Sequence, residues 1–332
     1  MITASMTSPF LSARILYSMK IIQAPRASTI LYNLLTTHAD SRPWLLPANI
    51  CPIVPITLLK AQVPFEFVDI SAKSLHMDLE QAEVRVKTRK FGGLLYAHTY
   101  GELSTPCDFF ASVKRLAPDL VLVDDRCLCI PDFEIDTPAD LTLYSTGYAK
   151  IVELNSGGYA FAQDYLEYEP SHLPFDSQTH AELEVSYKEA VQGRKTFMYH
   201  DSDWLETDAL MPAWYDYRRQ IEDVLKDSLS HRAEINEVYR TLLPHEIQLP
   251  QAYQTWRFNV RIKNKAHVLN AIFNAGLFAS SHYASLAGII AEGWAPFAEA
   301  LADQVINLFN DYRINMQKSE KICKVILENY EG

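Results

Sequence analysis

An acid, a hydroxyl, a lysine and a glycine pair follow one another over residues 125–158 in an order that can do chemistry. Asp125 ends the apolar run LVLVDD, and Ser145 ends the run LTLYS. Lys150 lies five residues beyond Ser145, and Gly157–Gly158 begin another apolar run. Pyridoxal phosphate needs an acid at its ring nitrogen, a hydroxyl for its phosphate and a lysine for covalent attachment. The order therefore predicts a pyridoxal phosphate site in which Lys150 is the catalytic residue.

The elements that must position these residues are short strands that alternate with helices over residues 43–165. Apolar runs such as GGLLYA indicate strands, and segments such as PCDFFASVKRL have helical spacing. This alternation predicts a mostly parallel sheet covered on both faces. Ligands of such sheets bind beyond the carboxyl ends of the strands. The sequence places Asn49, His98, Asp125 and Ser145 at those ends, so we expect them near one another.

The second half of the chain has a different character. Charge and aromatic content rise over residues 166–245, where helical spacing dominates, and a smaller α/β unit follows from residue 246. We predict a large cofactor-binding domain over residues 1–225 and a small C-terminal domain over residues 226–332. Residues 250–252 lack the composition of a linker, so we expect the two lobes to share an interface.

The charge balance excludes several classes of partner. The 332 residues carry 30 Lys and Arg against 41 Asp and Glu, a net charge of −11. This balance argues against nucleic acid and anionic membranes as partners. No apolar run is long enough to span a bilayer. The first residues lack the order of a signal peptide, because Arg14 and Lys20 lie inside or after the apolar stretch.

The cysteines indicate a cytoplasmic protein. Five of them are scattered along the chain, which fits reduced thiols. Cys127 and Cys129 would point to one side if both lay on a strand, but there is no second Cys or His pair at metal spacing. We therefore expect these two thiols to pack in the core and expect no metal site.

The chain resembles the DegT/DnrJ/EryC1/StrS family of pyridoxal-phosphate-dependent sugar aminotransferases. Six pieces, in the family's order from about Ser28 onward, carry the resemblance: PANICPIVPITLLKAQVPFEFVDI, YAHTYGE, VLVDDRC, YSTGYAKIVELNSGGYAF, FNAGLFASSHYASL and LADQVINLFNDYRINMQKSEKICKVI. The resemblance implies the fold-type I architecture of aspartate aminotransferase. That architecture has a three-layer α/β/α large domain with a mostly parallel sheet, and a smaller C-terminal α/β domain.

The resemblance also implies roles for single residues. Lys150 would form the Schiff base, and Asp125 would hold the ring nitrogen, with the adjoining Asp124 as the alternative. Ser145 would bind the cofactor phosphate. Five further residues are expected at the site. The cofactor contacts are Ser28, Thr29 and His98, of which the first two lie at the start of the helix TILYNLL, where a cap and an anion site coincide. The substrate contacts are His282 and Tyr283, which adjoin in SSHYASL.

The implied reaction moves an amino group from an amino acid, glutamate or glutamine, to a keto group of a nucleotide-linked sugar. The implied assembly is a homodimer whose active sites contain residues of both chains. Lysine at position 150 favours transfer, because the dehydratase branch of the family commonly has histidine there. An NAD-binding protein would need a G-x-G-x-x-G segment, which the sequence lacks.

The chain departs from the family pattern at several places. Leu128 stands where the family usually has glutamine, and Ala27–Ser28–Thr29 lacks the usual glycine. Cys51 falls near the position of the aromatic residue that often stacks on the ring. The segment YHDSDWLETDA replaces a loop that often reaches the phosphate from the second subunit. The alternative function is therefore that of a degenerate member with a binding or assembly role and no transamination.

Overall fold

The structure is a computed structural model that describes residues 19–38, 40–135 and 137–331. The predicted N-terminal start over residues 1–18, including Arg14, lies outside the described residues. The strands of the described part are β1 (Met19–Ala24), β2 (Trp44–Pro47), β3 (Phe65–Val68), β4 (Gly93–Ala97), β5 (Val121–Asp125), β6 (Leu141–Ser145), β7 (Gly158–Gln163), β8 (Phe258–Arg261), β9 (Ser280–Ser281) and β10 (Val305–Leu308).

Helices follow most strands. The α-helices of the described part are α1 (Ala27–Thr37), α2 (Ile53–Lys60), α3 (Leu79–Lys87), α4 (Cys107–Leu116), α5 (Ser177–Gly193), α6 (Trp214–Leu242), α7 (Lys265–Asn274), α8 (Pro296–Ala302) and α9 (Met316–Asn329). Two short 3₁₀ helices, His245–Ile247 and Gln251–Tyr253, precede β8.

Seven strands form the large sheet in the order β1-β7-β6-β5-β4-β2-β3. The pairs from β3 to β6 are parallel, and β7 runs antiparallel to both β6 and β1. Successive residues of one strand belong to different apolar clusters, as the period of two requires. Leu95 packs with residues of α1 and α2, whereas Leu94 packs with residues of α3 and α4. The helices therefore cover both faces, and the predicted three-layer arrangement is confirmed.

The glycine pair at the start of β7 allows the start of α1 to approach the sheet closely. A Cβ on Gly158 would lie 2.5 Å from the main-chain nitrogen of Ala27. Gly157 has φ +95°, and a Cβ there would lie 2.4 Å from the hydroxyl of Tyr217. Only glycine fits this geometry without strain. The pair seen in the sequence therefore brings the first turn of α1 to the edge of the sheet.

The C-terminal unit contains a three-stranded antiparallel sheet in the order β8-β10-β9. Its core is a separate apolar cluster that includes Ile235 and Tyr239 from α6. Earlier in α6, Tyr217 and Ile221 pack in a cluster with Tyr159 of the large sheet. The predicted domain boundary after residue 225 falls inside this continuous helix, between its two packing regions.

Two sequence expectations concern the membrane and the short strands. No helix in the described ranges combines the length and the apolar character that crossing a bilayer requires. The extended run FASSHYASL contains only the two-residue strand β9, because most of its residues leave the small sheet to reach the large unit. One of these, Leu286, donates its main-chain N–H to the carbonyl of Ala48 at 2.9 Å.

Candidate active site

Five chain segments converge on one edge of the large sheet. β4, β5 and β6 end there, and the pairing of Ala24 and Ser145 with Gly158 brings the end of β1 and the start of β7 to the same edge. This is the edge at which open parallel sheets bind ligands. A cavity of about 220 Å³ lies there. Its walls include Ser28, Asp125, Ser145 and Lys150, so the structure brings four of the predicted residues together.

Asp125 and Asp124 point to opposite faces of β5. Asp125 lines the cavity, and its Oδ1 accepts a hydrogen bond from the main-chain N–H of Cys127 at 3.0 Å. Asp124 is fully buried, and its two oxygens accept from His98 and Arg126, each at 2.8 Å. Alternation along the strand thus decides between the two candidate acids. Asp125 is the one that faces the cavity.

Two half-buried thiols line the cavity together with Lys150. Burial raises the pKa of the Cys51 thiol, and the charge of Lys150 opposes that shift. Burial and then the charge of Asp125 raise the pKa of the Cys127 thiol, again against Lys150. Both cysteines line the cavity. Cys127 packs against the core of the large unit and also lines the cavity, whereas Cys129 is buried in a different apolar cluster. The two thiols differ because β5 ends at Asp125 and the chain turns before both cysteines.

The two neighbours Ser28 and Thr29 in the first turn of α1 have different surroundings. Ser28 lines the cavity, whereas Thr29 is buried and donates its hydroxyl hydrogen to the carbonyl of Glu206 at 2.6 Å. The main-chain N–H groups at a helix start favour an anion. Those of Thr29 and Ile30 already bond to the carbonyl of Arg26, at 3.1 and 3.4 Å.

His98 lines the smaller cavity that adjoins the main one, and its ring is held there by two carboxylates. Its Nε2 lies 2.8 Å from Asp124 and its Nδ1 lies 2.7 Å from Glu102, which also pairs with His76 at 3.1 Å. Burial opposes a charge on His98, but the hydrogen bonds to Asp124 and Glu102 outweigh it and raise its pKa to about 9. Both ring nitrogens are thus committed to acids on the other face of β5. Its main-chain N–H donates to the carbonyl of Asp125 at 3.1 Å, and both residues line the smaller cavity.

His282 and Tyr283 are also placed on different sides. Tyr283 lines a smaller cavity of about 30 Å³ that shares Asp125 and Lys150 with the main one. His282 is buried, and its ring stacks on that of Tyr100 at 4.2 Å between centroids. Burial, with the charge of His76 second, lowers the pKa of His282 to about 3. The structure therefore brings Tyr283 to the site and places His282 in the packing beside it.

Leu128, where the family pattern has glutamine, also lines the smaller cavity. It packs in an apolar cluster with Ile151 and Trp256, and Tyr283 borders that cluster. A leucine offers no hydrogen bond. This wall of the site is therefore apolar where the resembling family has a polar side chain.

Sequence reasoning missed two groups of residues that line the main cavity. Arg26 precedes α1 and pairs with Glu206 at 3.3 Å. The others lie on one face of α5: His180, Glu184 and Tyr187. Their spacing of four and then three residues marks one helical face. The pattern alone could have found that face, but only the tertiary structure shows that it covers the cavity.

Over residues 19–38, 40–135 and 137–331, no group of three His, Cys, Asp or Glu side chains is arranged to hold a metal ion. The main cavity combines a carboxylate, a hydroxyl, an arginine and a helix start, a set of groups that can bind an organic anion.

No protein-family model matches the chain, and no curated protein matches it. Solved structures do. A sugar aminotransferase from Micromonospora echinospora has a TM-score of 0.66 at 14% identity, over 93% of this chain and 87% of that one. A DegT DnrJ EryC1 StrS aminotransferase from Brucella abortus has a TM-score of 0.63 at 16% identity, over 93% and 85%.

A third similar structure is GDP-4-keto-6-deoxy-D-mannose-3-dehydratase from E. coli with bound hydrated PLP. Its TM-score is 0.62 at 15% identity, over 93% of this chain and 88% of that one. At such identities the likeness establishes a common fold. The fold-type I architecture that the resemblance implies is therefore confirmed for this chain.

Proposed function

We propose that this protein is a pyridoxal-phosphate-dependent aminotransferase that acts on a keto group of a nucleotide-linked sugar, with an amino acid as donor. One observation carries the proposal: Asp125, Lys150 and the start of α1 face one cavity of about 220 Å³. These three features lie far apart in the sequence, and folding brings them to the same edge of the sheet. Their chemistry matches the three ends of one cofactor.

The residues of the cavity fit pyridoxal phosphate. Asp125 would bind the ring nitrogen, and Lys150 would hold the aldehyde carbon covalently. The phosphate would lie at the start of α1, where Ser28, Arg26 and Ser145 line the cavity. A phosphate there would compete with the carboxylate of Glu206 for the guanidinium of Arg26. The distance between Arg26 Nε and Glu206 Oε2 is 3.3 Å.

The bound cofactor would supply an electron-accepting ring that stabilises a carbanion. Asp125 would keep the proton on the ring nitrogen through its carboxylate. Lys150 would bind the cofactor, and its freed amine would move the proton at the substrate carbon. Cys51 and Cys127 line the cavity with Lys150 and would help to exclude water from that amine.

The substrate side of the proposal rests on the opening of the cavity and on the similar structures. Tyr148 lies at the cavity with 70% of its surface exposed, which leaves room for a large substrate. Two of the similar proteins carry sugars in their names, one of them a nucleotide-linked sugar. Lysine rather than histidine at position 150 favours amino transfer over dehydration.

Covalent trapping tests the cofactor and the lysine together. The protein is mixed with pyridoxal phosphate, reduced with borohydride and mapped by peptide mass spectrometry. We expect one phosphopyridoxyl label, on Lys150, and none in Lys150→Ala. Lys195→Ala, which removes an exposed lysine, is the matched control and should keep the label. A label spread over surface lysines, or no label at saturating cofactor, would contradict the proposal.

A second candidate function, binding without transamination, is favoured by the apolar wall at Leu128. Leucine cannot form a hydrogen bond with the oxygen on the pyridoxal ring. Cys51 lines the cavity where the family often has an aromatic ring. The two functions are separated by absorbance spectra of the protein with bound, unreduced pyridoxal phosphate, recorded before and after glutamate or glutamine is added. A loss of cofactor absorbance with formation of the keto acid supports transfer, whereas an unchanged spectrum supports the binding role.

Two further properties are proposed with the function. The resemblance supports a homodimer with residues of both chains at each site, and sedimentation at micromolar concentration tests it: a monomer that still binds cofactor would contradict it. A cytoplasmic location is supported by the free thiols of Cys51, Cys127, Cys129 and Cys323. Fractionation of cells that produce the protein tests this location.

A further inference from the structure

Three consecutive carbonyl oxygens around Lys150 accept hydrogen bonds from side chains that are distant in sequence. Nε1 of Trp256 donates to the carbonyl of the residue before Lys150 at 2.8 Å. Nη2 of Arg232 donates to the carbonyl of Lys150 itself at 3.1 Å. The hydroxyl of Ser228 donates to the carbonyl of the following residue at 2.5 Å. Two of the donors come from α6 and one from the segment before β8.

The main chain next to Lys150 has a conformation that needs such support. The loop between β6 and β7 consists of turns and bends. Ala149 has φ +59°, in the left-handed region, which is unfavourable for a residue with a Cβ. Its N–H donates to Glu153 at 3.0 Å, and Glu153 pairs with Arg313 at 2.6 Å. Contacts from outside the loop therefore hold a strained backbone at the lysine.

Burying the charged side chain of Arg232 is unfavourable, and a neutral donor could also bond the carbonyl of Lys150. It is buried, and its acceptors in the described part of the chain are neutral oxygens: Ser228, Trp256, Asn310 and Lys150. Burial, with the charge of Arg257 second, lowers the pKa of Arg232 to about 10. A buried cation without a paired carboxylate opposes folding. Its geometry at Lys150 gives a reason for its presence that packing does not.

Trp256 also touches the substrate side of the site. Its ring stacks on that of Tyr283 at 6.1 Å between centroids and 11° between planes. Tyr283 lines the smaller cavity together with Lys150 and Asp125. One indole thus contacts the residue expected to face the substrate and, through its N–H, the loop that carries the lysine.

We propose that Ser228, Arg232 and Trp256 are positioning residues, which hold the main chain of Lys150 from the C-terminal half of the protein and set where its amine lies in the cavity. The inference rests on the proposed function, because it assigns these contacts to the placement of the cofactor-binding lysine. It goes further in making α6 and the Trp256 segment part of the active site.

The experiment compares two variants that each remove one donor. Trp256→Phe keeps an aromatic ring against Tyr283 and loses the N–H, and Ser228→Ala loses the hydroxyl. Trp204→Phe is the matched control for the first, because its indole donates to Tyr199 at 3.1 Å, away from Lys150. Ser230→Ala, exposed on the same helix, is the control for the second.

The first measurement is hydrogen–deuterium exchange of the amides over residues 147–152 in protein without added cofactor. Loss of one hydrogen bond of about 1 kcal/mol corresponds to about fivefold faster local exchange. We expect this acceleration over residues 147–152 in both donor variants and no change there in either control. The second measurement is the rate at which pyridoxal phosphate and borohydride label Lys150, which should fall several-fold in the donor variants only.

Two outcomes would overturn the inference. One is unchanged exchange and unchanged labelling in both donor variants. The other is faster exchange spread over the whole chain, with the two controls behaving alike, which would indicate a general loss of stability. If the wild-type protein is not labelled at Lys150, the proposed function fails, while local exchange still decides whether the three side chains hold the loop.

Discussion

The two faces of β5 carry adjacent acids with opposite surroundings. Behind the sheet, Asp124 lies in a closed cluster of charges with His98 and Arg126 at 2.8 Å each. In front of it, Asp125 faces the cavity beside Lys150 and is held by one main-chain N–H. Both carboxylate oxygens of Asp124 accept hydrogen bonds within the protein, whereas Asp125 still has one oxygen available to a ligand. A buried acid is therefore not by itself a functional acid.

The same contrast recurs wherever two neighbouring polar residues meet the site. At the start of α1, Ser28 lines the cavity while Thr29 bonds the carbonyl of Glu206. In the C-terminal unit, Tyr283 lines the smaller cavity while His282 stacks on Tyr100. In each pair one member stabilises the fold and the other faces the ligand, so paired substitutions can separate the two roles.

The largest expected effects are those of Asp125→Asn and Asp124→Asn. Asp125→Asn should lower the amino-transfer rate at least about 100-fold, the scale of losing an acid–base partner. Its unfolding midpoint should hardly move, because an amide oxygen can still accept from Cys127. Asp124→Asn should destabilise the fold by about 3–5 kcal/mol, because His98 and Arg126 would lose a buried partner. Stopped-flow half-reactions and denaturant titrations measure both effects. Loss of activity in Asp124→Asn alone would reverse the assignment.

The next comparison uses His282→Ala and Tyr283→Phe. His282→Ala should cost about 2–4 kcal/mol of stability, because it leaves a cavity against Tyr100 and removes a stacked ring. Tyr283→Phe keeps the ring and should lower kcat/KM while leaving the unfolding midpoint in place. Activity is normalised to the folded fraction. A variant at 283 that only unfolds more easily would show that both residues serve packing.

The pH dependence of stability should separate the two buried histidines. The pKa of His98 is about 9 in the folded protein and about 6.5 when unfolded, so its stabilisation is complete below pH 6.5 and is lost as the pH rises through 9. The pKa of His282 is about 3, so the stability linked to it is present above pH 6.5 and is lost as the pH falls towards 3.

Two variants test these opposite signs. His98→Gln should flatten the fall in stability between pH 6.5 and 9, and His282→Phe should flatten the fall between pH 6.5 and 3. Both are followed as the free energy of unfolding across a pH series. Equal slopes in a variant and the wild-type protein over the stated window would contradict that histidine's assignment.

The smallest effects are expected in the first turn of α1. Thr29→Val should cost about 1 kcal/mol of stability, the value of its one hydrogen bond to Glu206. Ser28→Ala should leave stability nearly unchanged and weaken cofactor binding by a similar free energy, about fivefold in the dissociation constant. Equilibrium titration with pyridoxal phosphate measures the second effect. The reverse result would place Thr29, not Ser28, at the phosphate.

Much of the large unit was predictable because its signals are local. Alternating short strands and helices, and the glycine pair before β7, follow from the residues themselves, and the structure has them where the pattern indicates. The order of Asp125, Ser145 and Lys150 also predicted that they meet, since strand ends of a parallel sheet share one edge. Arg26 and the inner face of α5 were missed, because only their partners across the chain show that they reach the cavity.

The sequence by itself determined which elements form and which residue types stand at the ends of the strands. The tertiary structure decided which member of each neighbouring pair faces the ligand, and that Ser228, Arg232 and Trp256 hold the loop of Lys150. The physical reason is the separation in sequence between the residues that interact. Helix and strand periods are set by neighbours within a few residues. The direction of a polar side chain is set by partners that lie far along the chain, 107 residues away for Trp256 and Ala149 and 177 for Thr29 and Glu206.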